Sequence, residues 1–311
     1  MAKCFSFTAS RDWCYRYTFA SAGLKSITTD IGDGTTIHCW VPKTHKPEKQ
    51  ALLLIHGFGA NAMWQWSELL RPFITRFNIY VPDLIFFGDS CTTRLDRSDL
   101  FQAQCVMRFM ETRGVRKFSL IGLSYGGFVG YSLAAQFKDV VEHVVICCAG
   151  VCLEEKDLSE GLFVVATLEE ATNILVPQTP EKLKVLMQMS FAKPAKNVPS
   201  CFLRDFIDVN YVQEKRELIQ AILKDRKLSE IPRITQPTLI IWGEQDQVFP
   251  VELGHRLKSH VGENAELVVI KNAGHGVNME KPKEFYKYLK TFLLDSLPHT
   301  SPSKNHDTKI D

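Results

Sequence analysis

Gly122-Leu123-Ser124-Tyr125-Gly126 sets a serine between two glycines, directly after the apolar run Phe118 to Ile121 and before a helix-forming stretch. A strained strand-to-helix turn of this kind pushes a hydroxyl into an exposed position from which it can attack a carbonyl. The string alone is weak evidence, because composition alone produces it about once in several chains of this size. A serine hydroxyl is also a poor nucleophile at neutral pH, so the chemistry demands a base and an acid to orient it. Candidates for both lie downstream of the serine.

Three histidines lie downstream of Val151 and ahead of the polar tail: His255, His260 and His275. The first two fall in a helical stretch. His275 lies in the flexible Asn272-Ala273-Gly274-His275-Gly276 loop, just past the apolar strand Leu267 to Ile270, where ligands gather at the strand ends of open α/β sheets. It is the chosen base. Asp246, in Trp242-Gly243-Glu244-Gln245-Asp246, also follows a buried strand and is the chosen acid, with Glu244 the weaker alternative. Its task is to accept the imidazole N–H and stabilise the imidazolium. The backbone N–H groups of Tyr125 and Phe58 are the candidate donors to the oxyanion. His56 precedes the nucleophile and opens the loop that carries Phe58, so it reads as structural; Asp83 does too.

These residues need a frame. Gly32-Asp33-Gly34 joins two β-rich runs between Ser26 and Pro42 as a hairpin. From Ala51 onward, short apolar strands alternate with helices: strands at Ala51–Ile55, Asn78–Val81, Phe118–Ile121 and Val141–Cys147, helices around Leu100–Met110 and Gly127–Phe137. That alternation predicts a mostly parallel twisted sheet of about eight strands with helices on both faces. Over 151–232 the strand signal gives way to helical patterns, which reads as a helical cap inserted after the sixth strand. Alternation resumes over 233–297, so the α/β core comprises 26–150 and 233–297.

His56-Gly57-Phe58-Gly59, the Ser124 pentapeptide with Gly127, Trp242 to Asp246 and Gly274-His275 occur together and in order. The chain thereby resembles the α/β-hydrolase family over roughly residues 26 to 297. Within it the resemblance is to the branch of serine esterases, monoacylglycerol-lipase-like enzymes and carbon–carbon bond hydrolases, including plant members without an assigned substrate. It implies cleavage of a carboxylic ester, such as an acylglycerol or another apolar ester, through an acyl-enzyme, with no cofactor and no metal. Carbon–carbon cleavage by the same three residues and a ligand receptor that retains them are the alternatives. Dehalogenase and epoxide hydrolase branches carry aspartate at the position of Ser124. One departure stands out: in Pro82-Asp83-Leu84-Ile85-Phe86-Phe87-Gly88, Phe86 occupies the place of a usual glycine.

Bulk properties agree with a globular enzyme. Hydrophobic residues are 45% and charged residues 23% of 311, and 37 Lys and Arg face 35 Asp and Glu, so no field draws in nucleic acid. Nine cysteines without a C-x-x-C pair argue against a disulfide framework or thiolate zinc site. No run reaches the roughly 18 apolar residues that span a bilayer, and no secretory core opens the chain. The expectation is a cytoplasmic protein, with an organelle transit peptide the other reading of its start. Residues 1–25 form an amphipathic segment in which Trp13, Tyr17, Ala20 and Leu24 share a stripe if helical. That stripe either packs on the protein's own surface or makes peripheral membrane contact. In the cap, Leu162, Phe163, Val164, Val165, Phe202, Phe206 and Ile207 are candidate apolar walls for the substrate, though most are expected to hold the cap itself together. Residues 298–311 are polar, aperiodic and read as a disordered tail.

Overall fold

A computed structural model describes residues 6–59, 61–207 and 209–294; the expected tail at 298–311 lies outside the described residues. The chain opens with α1 (Phe7–Ser21), followed by β1 (Leu24–Asp30) and β2 (Thr35–Pro42). Gly32, Asp33 and Gly34 all take positive φ in the hairpin turn, and Thr35 N–H donates to the Gly32 carbonyl at 3.0 Å. Next come β3 (Gln50–Ile55), α2 (Ala62–Trp66), α3 (Leu70–Ile74), β4 (Phe77–Pro82), the two-residue β5 (Cys91–Thr92), α4 (Asp99–Thr112), β6 (Phe118–Leu123), α5 (Tyr125–Gln136) and β7 (Val141–Cys147). Five helices follow: α6 (Lys156–Ser159), α7 (Leu168–Leu175), α8 (Pro180–Ser190), α9 (Ser200–Phe206) and α10 (Val212–Leu223). The chain returns to the sheet with β8 (Thr238–Gly243), α11 (Val251–Val261) and β9 (Ala265–Ile270), then α12 (Val277–Glu280) and α13 (Pro282–Leu294).

Among the described residues the sheet has nine strands, eight of them on one path in the order β1-β2-β4-β3-β6-β7-β8-β9, with β5 paired to β2. From β4 to β9 all pairings are parallel; β1, β2 and β5 are antiparallel additions at one edge. Strands β4, β6 and β8 are buried along their whole length, as parallel strands covered on both faces must be. That is why they read as continuous apolar runs rather than alternating ones. Strand β7 is the sixth on the path, and α6–α10 are inserted after it.

Helix starts carry their own signals. Ser98 accepts from Phe101 N–H at the head of α4, and Thr179 followed by Pro180 opens α8. The inserted helices are tied to the core by a bidentate pair, Arg256 Nη1 and Nη2 to Asp157 Oδ2 and Oδ1 at 2.6 and 3.0 Å, with Asp157 buried.

The N-terminal segment corrects the expected stripe. Gly23, at φ +85°, ends the helix, so Leu24 belongs to β1 and is buried there. The face that packs is Tyr15 and Phe19, four residues apart: Phe19 is fully buried against Trp40 at 5.1 Å and Tyr15 meets Trp64 edge-on at 5.2 Å. Burying the Phe19 ring contributes about 1.5–3 kcal/mol. Trp13 and Tyr17 are instead 70% and 67% exposed, stacked on each other at 6.3 Å.

Candidate active site

Ser124 sits between β6 and α5 with φ 53° and ψ −121°, a conformation that costs a non-glycine residue about 1–3 kcal/mol. The surroundings hold it there. Ser124 N–H donates to the Cys147 carbonyl at 2.8 Å, and the Ser124 carbonyl accepts from Gly127 N–H at 2.8 Å. A Cβ on Gly126 would lie 2.3 Å from the Ile55 carbonyl oxygen, so only glycine lets α5 start this close to β3.

The loops after β8 and β9 deliver the partners. His275 Nε2 lies 2.9 Å from Ser124 Oγ, and its Nδ1 lies 2.8 Å from Asp246 Oδ2. Asp246 is buried, and its other oxygen accepts the Val248 and Phe249 N–H groups at 2.8 and 2.9 Å. Two contacts therefore join three side chains drawn from positions up to 151 residues apart, and two backbone N–H groups fix the carboxylate at one end. Glu244 is exposed and accepts from Asn272 N–H at 3.1 Å, which bridges the two loops without approaching the histidine pair. His255 and His260 lie on α11, away from this cluster.

The loop after β3 closes against the serine. A Cβ on Gly57 would come within 2.8 Å of Ser124 Cβ, so the chain passes hard by this serine. Phe58 meets Tyr125 edge-on at 4.9 Å. His56 is fully buried: its Nε2 accepts from Leu84 N–H at 2.9 Å and its Nδ1 donates to the Gly57 carbonyl at 2.8 Å. Burial holds its pKa below the ordinary value, against the opposing pull of Asp83 and of the Gly57 carbonyl. Asp83 accepts from His38 Nδ1 at 2.7 Å and from Ala62 N–H at 2.9 Å.

Two residues were not singled out by the motifs. Gln65 braces the loop, accepting from Gly57 N–H at 2.7 Å and donating to the Phe58 carbonyl at 3.1 Å. Glu280 accepts from Gly274 N–H at 2.7 Å and from Ala192 and Lys193 N–H at 3.2 Å, tying the histidine loop to the segment after α8. Gln65 had no spacing signal, since its partners are backbone atoms.

Of the apolar residues expected to wall a substrate, Phe163 and Val165 line a space with Ile174, Met189, Leu223 and Phe249. Phe249 lies 5.7 Å from the His275 ring, which connects that space to the Ser124–His275–Asp246 cluster. It now holds only about 20 Å³, room for about one water. Val164 is exposed, and Phe202 and Phe206 pack on Phe7 of α1, so these three do not line it. A larger cavity of about 350 Å³ opens beside α1, lined by Tyr15, Trp64, Gln65, Asn278 and Tyr286 among others.

The family model for the alpha/beta hydrolase fold matches residues 50–282. The chain belongs to that family. It is 31% identical to monoacylglycerol lipase ABHD6 of Mus musculus over 267 residues, 80% of this chain and 76% of the relative. It is 28% identical to monoacylglycerol lipase abhd6-A of Xenopus laevis, over 86% of this chain and 82% of the relative. Among solved structures it superposes on a membrane phospholipase A, a bacterial virulence factor, with TM-score 0.72 and 27% identity, covering 92% and 89% of the two chains. An esterase from Exiguobacterium antarcticum gives TM-score 0.71 at 20% identity, over 86% and 99%, a likeness of fold alone. Within the family, the chain is a carboxylic ester hydrolase.

Proposed function

We propose that the protein hydrolyses an ester of an apolar acyl group, an acylglycerol being the leading class, with Ser124 as nucleophile, His275 as base and Asp246 as orienting acid. The observation that carries this reading is the unbroken Ser124–His275–Asp246 chain of contacts at 2.9 and 2.8 Å on a strained turn. Ser124 Oγ attacks the ester carbonyl while His275 takes its proton. The charge that builds on the carbonyl oxygen is met by the N–H groups of Tyr125 and Phe58, each such donor being worth about 10²–10³ in kcat. His275 then protonates the leaving alkoxide, and water, activated by the same histidine, releases the acid.

Helices α6–α10 act as the cap, and the apolar space beneath Phe163 and Phe249 receives the acyl chain once the cap shifts to widen it. The acylglycerol class is supported by the names of the relatives. Among the described residues no helix is long and apolar enough to cross a membrane. Contact with a bilayer is instead peripheral, through the exposed rings of Trp13 and Tyr17, with Arg11 and Arg16 on the same helix to meet anionic headgroups. The 350 Å³ cavity lies beside that helix, where an amphiphile leaving the bilayer would enter.

A fluorophosphonate probe and a series of p-nitrophenyl esters of increasing chain length test the reaction, with Ser124→Ala as control. Labelling and turnover by the wild type alone are expected, with a preference for medium or long chains. A wild type that neither labels nor turns over would overturn the mechanism. Sedimentation with anionic vesicles, weakened in Trp13→Ala/Tyr17→Ala, tests the membrane contact.

A further inference from the structure

Phe86 and Tyr211 are both aromatic residues held in the left-handed region, at φ +72° and +52°, where bulky side chains rarely sit. Phe86 lies in the core loop after β4, and Tyr211 heads α10 in the insertion. They pack on each other at 5.5 Å. Two disfavoured backbone conformations meeting in one contact point to a constraint beyond packing. The same junction is clamped twice more. The Arg97 guanidinium stacks on the Phe86 ring at 4.6 Å and pairs with Glu217 of α10 at 2.8 Å, and the Lys215 ammonium of α10 lies 5.0 Å over the Phe87 ring.

Phe87 leads from this clamp into the site. Its ring meets Phe58 edge-on at 5.0 Å, His56 at 5.0 Å and Tyr125 at 6.4 Å. Phe58 and Tyr125 are the two residues whose N–H groups face the developing oxyanion in the mechanism above, and Phe58 also touches Tyr125 directly. Helix α10 thus presses on an aromatic cluster that has both donors as members.

We propose that Tyr211 and Phe86 are positioning residues: through Phe87 they transmit the seating of α10 to the Phe58 loop, so the oxyanion donors are aligned only when the cap is docked. The proposal rests on the serine hydrolase reading and on Phe58 as a donor. It explains why a phenylalanine stands where the resemblance expects glycine: a glycine would satisfy the φ of +72° but would give α10 nothing to press on.

The test uses the full chain and four variants, Tyr211→Gly, Tyr211→Phe, Phe86→Leu and the Tyr211→Gly/Phe86→Leu double, each assayed for kcat, KM and melting temperature on one p-nitrophenyl ester. Tyr211 is partly exposed and its backbone conformation suits glycine, so Tyr211→Gly folds with a melting temperature near that of the wild type. Its kcat falls roughly 10- to 100-fold with KM little changed, as expected for a donor displaced by less than its full loss. Tyr211→Phe keeps the ring and keeps wild-type kcat. The double variant is no slower than the slower single one, because both break the same contact. Wild-type kcat in a folded Tyr211→Gly, or multiplicative losses in the double variant, would overturn the proposal while leaving the hydrolase reading intact. A wild type inert to both ester and fluorophosphonate would overturn both.

Discussion

The molecule holds two Ser-His-Asp chains of contacts that are nearly identical in their distances. In one, Ser124 Oγ, His275 Nε2, His275 Nδ1 and Asp246 Oδ2 are linked at 2.9 and 2.8 Å. In the other, Ser26 Oγ lies 2.8 Å from His38 Nε2 and His38 Nδ1 lies 2.7 Å from Asp83 Oδ2. Side-chain geometry alone does not separate them; the backbone does. Ser124 stands on a strained turn at the head of a helix, beside a glycine loop and an apolar space. Ser26 lies within β1, opposite Trp40 in a regular antiparallel pairing, where no turn presents it and no loop closes over it. The second set braces the edge hairpin to the Asp83 loop, helped by Ser90, whose hydroxyl accepts from His38 N–H and donates to the Asp83 carbonyl. A nucleophile is made by the backbone that presents it and the donors that await the product charge.

That contrast is broken most sharply at the two serines. Ser124→Ala should lower kcat by about 10⁶-fold and abolish fluorophosphonate labelling, while Ser26→Ala should label at the wild-type rate. Labelling that maps by peptide mass spectrometry to Ser26 would reverse the assignment of the two sites.

The acids come next. Asp246→Asn should lower kcat about 10⁴-fold with the fold intact, because the amide favours the wrong histidine tautomer. Asp83→Ala should leave kcat per folded molecule within a few-fold of wild type, yet cost about 3–5 kcal/mol in chemical denaturation, since it strands the buried His38 ring and the Ala62 N–H. Equal losses of stability in the two variants would erase the distinction between a catalytic and a bracing acid.

How much of this was legible beforehand follows the same division. Side chains gathered at strand ends leave a trace in the sequence: the proposed catalytic residues Ser124, Asp246 and His275 each follow an apolar run and sit among glycines or turn formers, and the parallel strands announce themselves because burial on both faces forces continuous apolar runs. His38, Ser26 and Gln65 leave none. His38 sits in a strand where an alternating pattern would accept any residue, and its partner Asp83 is 45 positions away. The stripe through Trp13, Tyr17, Ala20 and Leu24 loses its last member because periodicity assumes a helix long enough to reach Leu24, and Gly23 ends it first. The Phe86 departure was visible, but its meaning required the left-handed φ and the facing Tyr211, neither of which a sequence displays.

The brace should also be visible in the pH dependence of stability. For Asp83, burial raises the pKa, but the His38 hydrogen bond, the His56 and His38 charges and the Ala62 N–H outweigh it, leaving the folded value below the ordinary 3.8. A depressed carboxylate contributes stability above its unfolded pKa and loses it as pH falls through the folded one. For His56 burial depresses the pKa below 6.5. Here the unfolded chain binds the proton first, so stability falls as pH drops below about 6.5, with a slope of at most about 1.4 kcal/mol per pH unit from this one group. Denaturation midpoints at pH 7.5, 5.5 and 3 should decline in that order, the last step carrying the Asp83 contribution, and His56→Gln should flatten the upper part of the decline. A profile for that variant parallel to the wild type's would remove His56 as the cause.

The smallest expected effect is at Ser26 itself. Its hydroxyl is exposed and gives His38 one hydrogen bond, while Asp83 holds the other ring nitrogen in a buried contact. When the hydroxyl is removed, water can reach Nε2 in its place, so Ser26→Ala should cost no more than about 1 kcal/mol. The same deletion at Ser124 should be neutral or stabilising, since alanine at φ 53° is no more strained than serine and the partly buried imidazole keeps Asp246. Equilibrium denaturation of the two variants therefore orders them opposite to their activities: the serine that matters to chemistry is dispensable to the fold, and the one that matters slightly to the fold is dispensable to chemistry. If Ser124→Ala destabilises more than Ser26→Ala, the strained turn is held partly by the hydroxyl's bond to His275, and the catalytic chain is itself a brace.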